Sequence, residues 1–356
     1  MSRIVISGYY GFGNVGDEAV LAGMLTTFRR LRIEAEVTVL SADPERTMRE
    51  HAGVESIHRY RLPQVIRAMR RADLVVSGGG SLFQDVTSAI SPYYYLSVLR
   101  LARLLRRKTM IYAQGVGPLV REGTKRAVAR AMHRAHLITV RDADSKSLLE
   151  SIGVTKPVHL SADPSFLVEP DLAAADRLLA EHGLTSGELI GVSLRPWKEP
   201  DGWLAEAARG IRQAADRLSA NLALIPMQRP EDDSSCEQVE GGVLIRHSGE
   251  PGLVKGLIAR CGLVAGMRLH SLIFAASSAV PFVPIIYDPK VASFAAVAGQ
   301  SRGVELQALT STAIAEEVVN AWRNRPPAEA LRRKAEEMTR LALQSGRLAK
   351  ELIDGT

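Results

Sequence analysis

Arg268 and His270 stand two residues apart in "GMRLHSLIFA" (266–275), between the apolar run "CGLVA" and the small-residue stretch "SLIFAASSA". A guanidinium binds carboxylate or phosphate, and an imidazole titrates near neutrality, so a strand-to-helix junction holding both invites chemistry. Other basic residues take similar places. Arg141 ends the run "LITVRD", Arg195 ends "LIGVSLR", and Lys290 lies beside Asp288 in "YDPKV". Each has a structural alternative; for Arg141 it is an internal ion pair with Asp142, Asp144 or Asp163. Together the five basic residues are harder to assign to packing. Burying several cations costs several kcal/mol each unless anions compensate. The expected compensation is a ligand carrying both a phosphate and a carboxylate.

Three Gly-rich turns add polar candidates. In "GYYGFGNVGDEAV" Gly11, Gly13 and Gly16 satisfy G-x-G-x-x-G, a dinucleotide fingerprint. The glycines come several residues after the strand, however, and Asp17 and Glu18 would repel a pyrophosphate at the helix start. The alternatives are a turn shaped for packing, or a loop in which Asn14 and Asp17 bind a sugar-like ligand. "SGGGSLFQD" (77–85) offers Gln84 and Asp85 for the same purpose, or is simply a tight turn. "YAQGVGPL" (112–119) offers Gln114 at a strand end.

These turns need a scaffold. Strand-like runs alternate with amphipathic runs, the mark of a parallel α/β architecture. "RIVISG", "AEVTVL", "DLVVSGGG", "TMIYAQG", "LITVRD" and "VHLSAD" form a first set, with helix patterns at 17–31, 92–107 and 122–134. "LIGVSLR", "NLALIPM", "VLIRH", "CGLVAGM" and "VPFVPIIY" form a second. The expectation is two Rossmann-like parallel-sheet domains facing one cleft: residues 1–170, completed by a C-terminal helix at 327–354, and residues 171–326. In such sheets ligands bind beyond the carboxyl ends of the strands. The polar segment 228–242 reads as a mobile loop.

Of 356 residues, 46% are hydrophobic and 24% charged, as in a soluble globular protein, and no apolar run is long enough to span a bilayer. The start lacks the pattern of a signal peptide and the two cysteines form no framework, so a cytoplasmic location is expected. A net charge of +6 points to an anionic partner, and an aromatic content of 5% argues against nucleic acid. The stretch 93–108 interleaves tyrosine and leucine with Arg100, Arg103, Arg106, Arg107 and Lys108. It reads first as a surface helix with its apolar face in the core; peripheral contact with an anionic membrane is the alternative.

"GYYGFGNVGDEA", "SGGGSLFQD", "YAQGVGP", "VRDADS", "SADPSFL", "GMRLHSLIFA" and "YDPKV", in this order, resemble the polysaccharide pyruvyl transferase family, nearest the bacterial CsaB type. The resemblance implies a glycosyltransferase-B-like fold and transfer of the enolpyruvyl group of phosphoenolpyruvate onto a sugar as a cyclic ketal. For the CsaB type it implies N-acetylmannosamine in a lipid-linked disaccharide, a precursor of the secondary cell-wall polymer that anchors S-layer proteins. Phosphoenolpyruvate is then the co-substrate, and neither metal nor redox cofactor is expected. On this reading Arg141, Arg268 and Lys290, with Arg195, hold the donor. His270 supplies the proton to the donor methylene. In an extended segment positions i and i+2 point the same way, so Arg268 and His270 would address one ligand. Asp17 or Asp85 activates the acceptor, with Asn14, Gln84 and Gln114 near it. A nucleotide-sugar-dependent glycosyltransferase of the same fold is the second reading, and a non-catalytic basic protein binding membrane or nucleic acid the third.

Overall fold

A computed structural model describes the chain except for residues 87, 186, 187, 301 and 356. It divides into two compact units: Met1–Phe12, Asp17–Leu167 and Thr339–Thr356 form the first, Gly13–Gly16 and Val168–Met338 the second.

Unit 1 carries seven parallel strands: β1 (Ser2–Ser7), β2 (Ala35–Ser41), β3 (Val54–His58), β4 (Leu74–Gly78), β5 (Lys108–Gln114), β6 (Leu137–Val140) and β7 (His159–Leu160). Their order is β3-β2-β1-β4-β5-β6-β7. The central strands are buried on both faces, which explains their near-continuous valine, isoleucine and methionine. The crossovers are α1 (Val15–Arg30), α2 (Pro44–Glu50), α3 (Leu62–Arg71), α4 (Ser91–Leu104), α5 (Glu122–Met132) and α6 (Ala143–Ser151). Val20, Leu21, Met24 and Phe28 of α1 cover one face with Ile4, Ile6, Val37 and Val39. Val65 and Met69 of α3 and Val98 and Ala102 of α4 cover the other, on Val5, Leu40 and Val75. Residues from Thr339 onward in the last helix, Ala328–Asp354, complete the unit. There Ser345 Oγ lies 2.8 Å from Thr139 Oγ1, and Lys350 Nζ donates to the Leu31 carbonyl at 3.0 Å.

Unit 2 carries six parallel strands: β8 (Leu189–Ser193), β9 (Asn221–Leu224), β10 (Val243–Leu244), β11 (Leu263–Gly266), β12 (Phe282–Ile286) and β13 (Val304–Glu305), in the order β10-β9-β8-β11-β12-β13. The helices Trp203–Leu218 and Ser311–Arg323 close its main core through Ile211, Ala215, Ile314 and Val318.

Two expectations are corrected. Segment 228–242 is not a mobile loop: Asp232 and Cys236 are fully buried, and a short helix spans Asp233–Cys236. Its polar residues satisfy one another inside the fold. The i, i+2 argument for Arg268 and His270 also fails. Arg268 is extended, but the helix Leu269–Ser277 begins at the next residue, so the two side chains do not repeat with a strand's period.

Candidate active site

In a parallel sheet every strand delivers its carboxyl end to one edge. On that edge of unit 2 the turns after β8, β9, β11 and β12 supply Arg195, Gln228 and Asp232, Arg268, and Lys290. The Arg268 guanidinium is buried and grips Asp232 with two bonds, Nε to Oδ2 at 2.9 Å and Nη2 to Oδ1 at 2.5 Å. The backbone N–H groups of Met227 and Gln228 also donate to Asp232 Oδ2. Burial works against the charge of Arg268, but Asp232 outweighs it and raises the pKa; burial lifts the Asp232 carboxyl above its ordinary range, against the pull of Arg268 and the Gln228 N–H. Arg268 Nη1 donates to no described residue.

A chain of contacts leads from Arg268 to His270 through a segment far away in sequence. Arg268 Nη2 donates to Gln228 Oε1 at 3.3 Å, and Asn14 Nδ2 approaches the same oxygen at 3.5 Å. Val15 N–H donates to the Met227 carbonyl at 2.9 Å, and Asn14 Oδ1 caps Gly16 N–H at 2.9 Å. Gly16 then lies against the imidazole: a Cβ at that position would stand 2.2 Å from His270 Nδ1. The third glycine of the fingerprint is therefore there for close approach of a histidine, not of a pyrophosphate.

Arg195 and Lys290 sit beside this chain. Arg195 Cζ lies 5.4 Å from the Trp197 ring centre and 5.8 Å from that of Tyr287, while Lys290 Nζ is 5.8 Å from Tyr287. Lys290 is paired with Asp288 at 3.2 Å. Arg195 has no carboxylate within 4.0 Å among the described residues.

Unit 1 repeats the arrangement at its own carboxyl edge. Arg141 is buried; Nη1 bonds Asp163 at 2.8 Å, Nη2 bonds Ser81 Oγ at 3.0 Å, and Nε lies 3.5 Å from Asp142. Burial opposes its charge, but the field of Asp163 and Asp142, with Asp17 contributing, raises its pKa. The buried arginines are thus compensated inside the protein, and for Arg141 this is the internal ion pair that the sequence offered as the alternative to a ligand. Asp17 borders the Gly-rich turn, 2.8 Å from where a Cβ of Gly80 would lie. Gln114 is fully buried and donates to the carbonyls of Gly79 and Gly80, shaping that turn from within. Asp85 is also fully buried. Burial would raise its pKa, but N–H groups of Val120 and Arg121, the Thr124 hydroxyl and the Arg121 charge hold it below the ordinary range. Gln84 accepts Val86 N–H at 3.1 Å. Asp85 and the Gln114 amide nitrogen therefore support turns inside the fold.

Sequence reasoning missed Gln228, Asp232, Trp197 and Tyr287. The run of three acids in "QRPEDDSS" was the available signal for Asp232. It also missed Glu18, read as a helix-start acid. Glu18 is buried; Oε1 accepts Gly11 N–H at 2.8 Å and Oε2 lies 3.0 Å from His51 Nε2. Glu18, Glu50 and His51 bring three possible metal-ligand atoms within 4.8 Å of one another. Gly11 and Arg46 already occupy one oxygen of each carboxylate.

A family model described as polysaccharide pyruvyl transferase matches residues 14–289. The amylovoran biosynthesis protein AmsJ of Erwinia amylovora is 20% identical over 353 residues, covering 81% of this chain and 84% of AmsJ. Among solved structures, the Anabaena protein HepE in complex with UDP and glucose has a TM-score of 0.67 at 13% identity, with both chains fully covered. The UDP-GlcNAc 2-epimerase of Neisseria meningitidis bound to UDP-GlcNAc has a TM-score of 0.66 at 11% identity, also over the full length of both. These likenesses establish a glycosyltransferase-B-like fold of two parallel-sheet α/β domains.

Proposed function

The chain belongs to the polysaccharide pyruvyl transferase family, and from that membership we propose that it moves the enolpyruvyl group of phosphoenolpyruvate onto a saccharide as a cyclic ketal. Pyruvyl transfer in polysaccharide biosynthesis is the family's activity; donor, product and acceptor are our finer reading. The observation that carries it is the carboxyl edge of unit 2, whose turns bring Arg195 and Lys290 to Tyr287 and carry Arg268 and His270. A small trianion suits Arg195, which has no carboxylate partner among the described residues, and the Nη1 side of Arg268. Asp232 serves this role by fixing the guanidinium before the ligand arrives.

The steps balance as follows. His270 gives a proton to C3 of the donor, and C2 becomes oxocarbenium-like. A sugar hydroxyl oxygen bonds to C2, the C2–O bond to phosphate breaks with its electron pair, and a second hydroxyl closes the ring. Of the two hydroxyl protons, one restores His270 and one leaves on phosphate. Asp17 is our candidate for taking the first. The proposed acceptor is N-acetylmannosamine of a lipid-linked disaccharide, as in secondary cell-wall polymer.

The test is phosphate release from phosphoenolpyruvate that depends on the saccharide, with the ketal methyl group seen by NMR. In deuterated water that methyl should carry one solvent deuterium. UDP release from a UDP-sugar, with no turnover of phosphoenolpyruvate, would establish the glycosyltransferase reading instead. His270→Gln should lose about 10²–10⁴-fold in turnover while keeping donor affinity. A variant near wild-type rate would remove the acid role.

A further inference from the structure

We propose that the outer face formed by α3 and α4 of unit 1 docks on an anionic lipid surface. Both helices cover the same side of the sheet through Val65, Met69, Val98 and Ala102. Each returns from the carboxyl end of one strand to the amino end of the next, so they lie parallel. They are joined at both ends. Near the start, Tyr60 and Tyr94 meet edge to face at 5.6 Å, with Arg59 Cζ 3.8 Å over Tyr94. Near the finish, Arg107 Nη1 donates to the Ala72 carbonyl at 3.4 Å. Arg107, one of the arginines of 93–108, is thus a brace between the helices.

What remains outside is charge of one sign. Arg67, Arg70 and Arg71 on α3 and Arg100 and Arg103 on α4 are exposed, as is Arg106 just beyond it. None has a carboxylate within 4.0 Å among the described residues. Along the sequence no acid occurs between Glu55 and Asp73, or between Asp85 and Glu122. Some exposed arginines elsewhere are paired, as Arg217 with Glu316 and Arg260 with Asp176. An ordinary solvated helix face mixes signs; an unbroken cationic one repels itself unless it meets an anionic surface.

Exposed apolar residues lie at both ends of the two helices. Tyr60 is 68% exposed, Leu62 57%, Ile90 79% and Leu104 71%. A phosphate polymer or acidic protein would satisfy the arginines alone. Arginines interleaved with protruding leucine, isoleucine and tyrosine fit the headgroup and upper acyl region of a bilayer. Among the described residues no helix is long and apolar enough to cross a membrane, so such contact would be peripheral. The face and its test do not depend on the donor chemistry.

The test is co-sedimentation of the full chain with phosphatidylcholine vesicles, with and without phosphatidylglycerol. The variants are an α3 triple (Arg67, Arg70 and Arg71→Gln), an α4 triple (Arg100, Arg103 and Arg106→Gln) and a control triple of equal charge change (Arg323, Arg332 and Arg333→Gln). An arginine at an anionic leaflet contributes about a fivefold factor, so the α3 and α4 triples should each partition about 100-fold more weakly. The control should bind like wild type, and all should melt alike. Ile90→Ser with Leu104→Ser should weaken binding at high salt, where charge is screened. Equal loss in all three triples would reduce the effect to net charge and overturn the assignment. So would binding that ignores phosphatidylglycerol, or duplex DNA bound through the same arginines with no vesicle binding. Wild-type phosphate release on a soluble acceptor in the α3 and α4 triples would separate docking from catalysis.

Discussion

Gly16 and His270 show how a motif can be legible and its meaning not. The fingerprint in "GFGNVG" was visible, but that its last glycine faces an imidazole 254 positions away follows only from the fold. Gly16→Ala should push His270 aside at an overpacking cost of about 1–3 kcal/mol and lose turnover nearly as His270→Gln does. Wild-type kinetics for a folded Gly16→Ala would show that the ring position is unimportant. The arginines divide similarly. Arg141→Ala leaves Asp163 buried without its partner and should destabilise by about 3–5 kcal/mol in chemical denaturation. Arg195→Ala forfeits a long bond to the Pro196 carbonyl, the field it exerts on Asp232, and cation–π contact with Trp197 and Tyr287, the last about 1 kcal/mol. It should instead weaken phosphoenolpyruvate binding by about 10–100-fold, as for loss of a charge-assisted bond. The reverse pattern in calorimetry would exchange their roles. Both arginines were readable as strand-end cations, and three acids were readable as partners for Arg141; that Asp163 and Asp142 hold it, and not Asp144, follows only from the fold.

Among elements, those buried on both faces were the readable ones. The runs at β1, β4, β5, β8, β11 and β12 are long apolar stretches, and all are strands. β3 was missed because "VESIH" is a half-exposed edge strand with a charge in it, and β13 because it is two residues long. α3 was not among the helix patterns singled out although it builds half of the arginine face, with Val65 and Met69 one helical turn apart on its buried side. The segment after β9 was misread for a different reason: its polarity is satisfied internally. His247 is part of that satisfaction. Its Nε2 lies 2.8 Å from the Pro226 carbonyl and its Nδ1 accepts Gly249 N–H at 3.1 Å, so the ring is neutral with hydrogen on Nε2. Burial, aided by Arg229 and opposed by the Pro226 bond and Asp233, pushes its pKa down to about 4. Unfolded, the ring titrates near about 6.5. Between these values the unfolded chain holds the extra proton, so this contribution to stability is full above pH ~6.5 and falls as pH drops toward 4. It amounts to about 3 kcal/mol. Denaturation of wild type against His247→Gln across that window should show the steeper loss in wild type; parallel profiles would mean that His247 titrates alike in both states.

At the scale of the whole molecule, two parallel sheets were legible in the restart of the strand pattern, whereas the length and amphipathic period of the last stretch gave only a helix and not what it packs on. What no pattern shows is how the chain is shared. Only from Thr339 does the last helix belong to unit 1, where Ala342, Ser345 and Ala349 are fully buried and Gly346 is packed so closely that a Cβ would stand 2.1 Å from Thr27 Cγ2. A methyl group there meets the side of α1 that also carries Phe28 and Met24, the core under β1 and β5. Gly346→Val should therefore destabilise unit 1 by overpacking, about 1–3 kcal/mol, while leaving the Ile211, Ile314 and Val318 core of unit 2 untouched. Amide hydrogen exchange read by mass spectrometry distinguishes the two. Peptides from 108–114 and 137–140 should exchange faster by about 5–150-fold, the equilibrium factor for that free energy, and peptides from 189–193 and 282–286 should keep their wild-type rates. Equal acceleration in all four would mean that the two units unfold as one, and that the helix stabilises the chain as a whole.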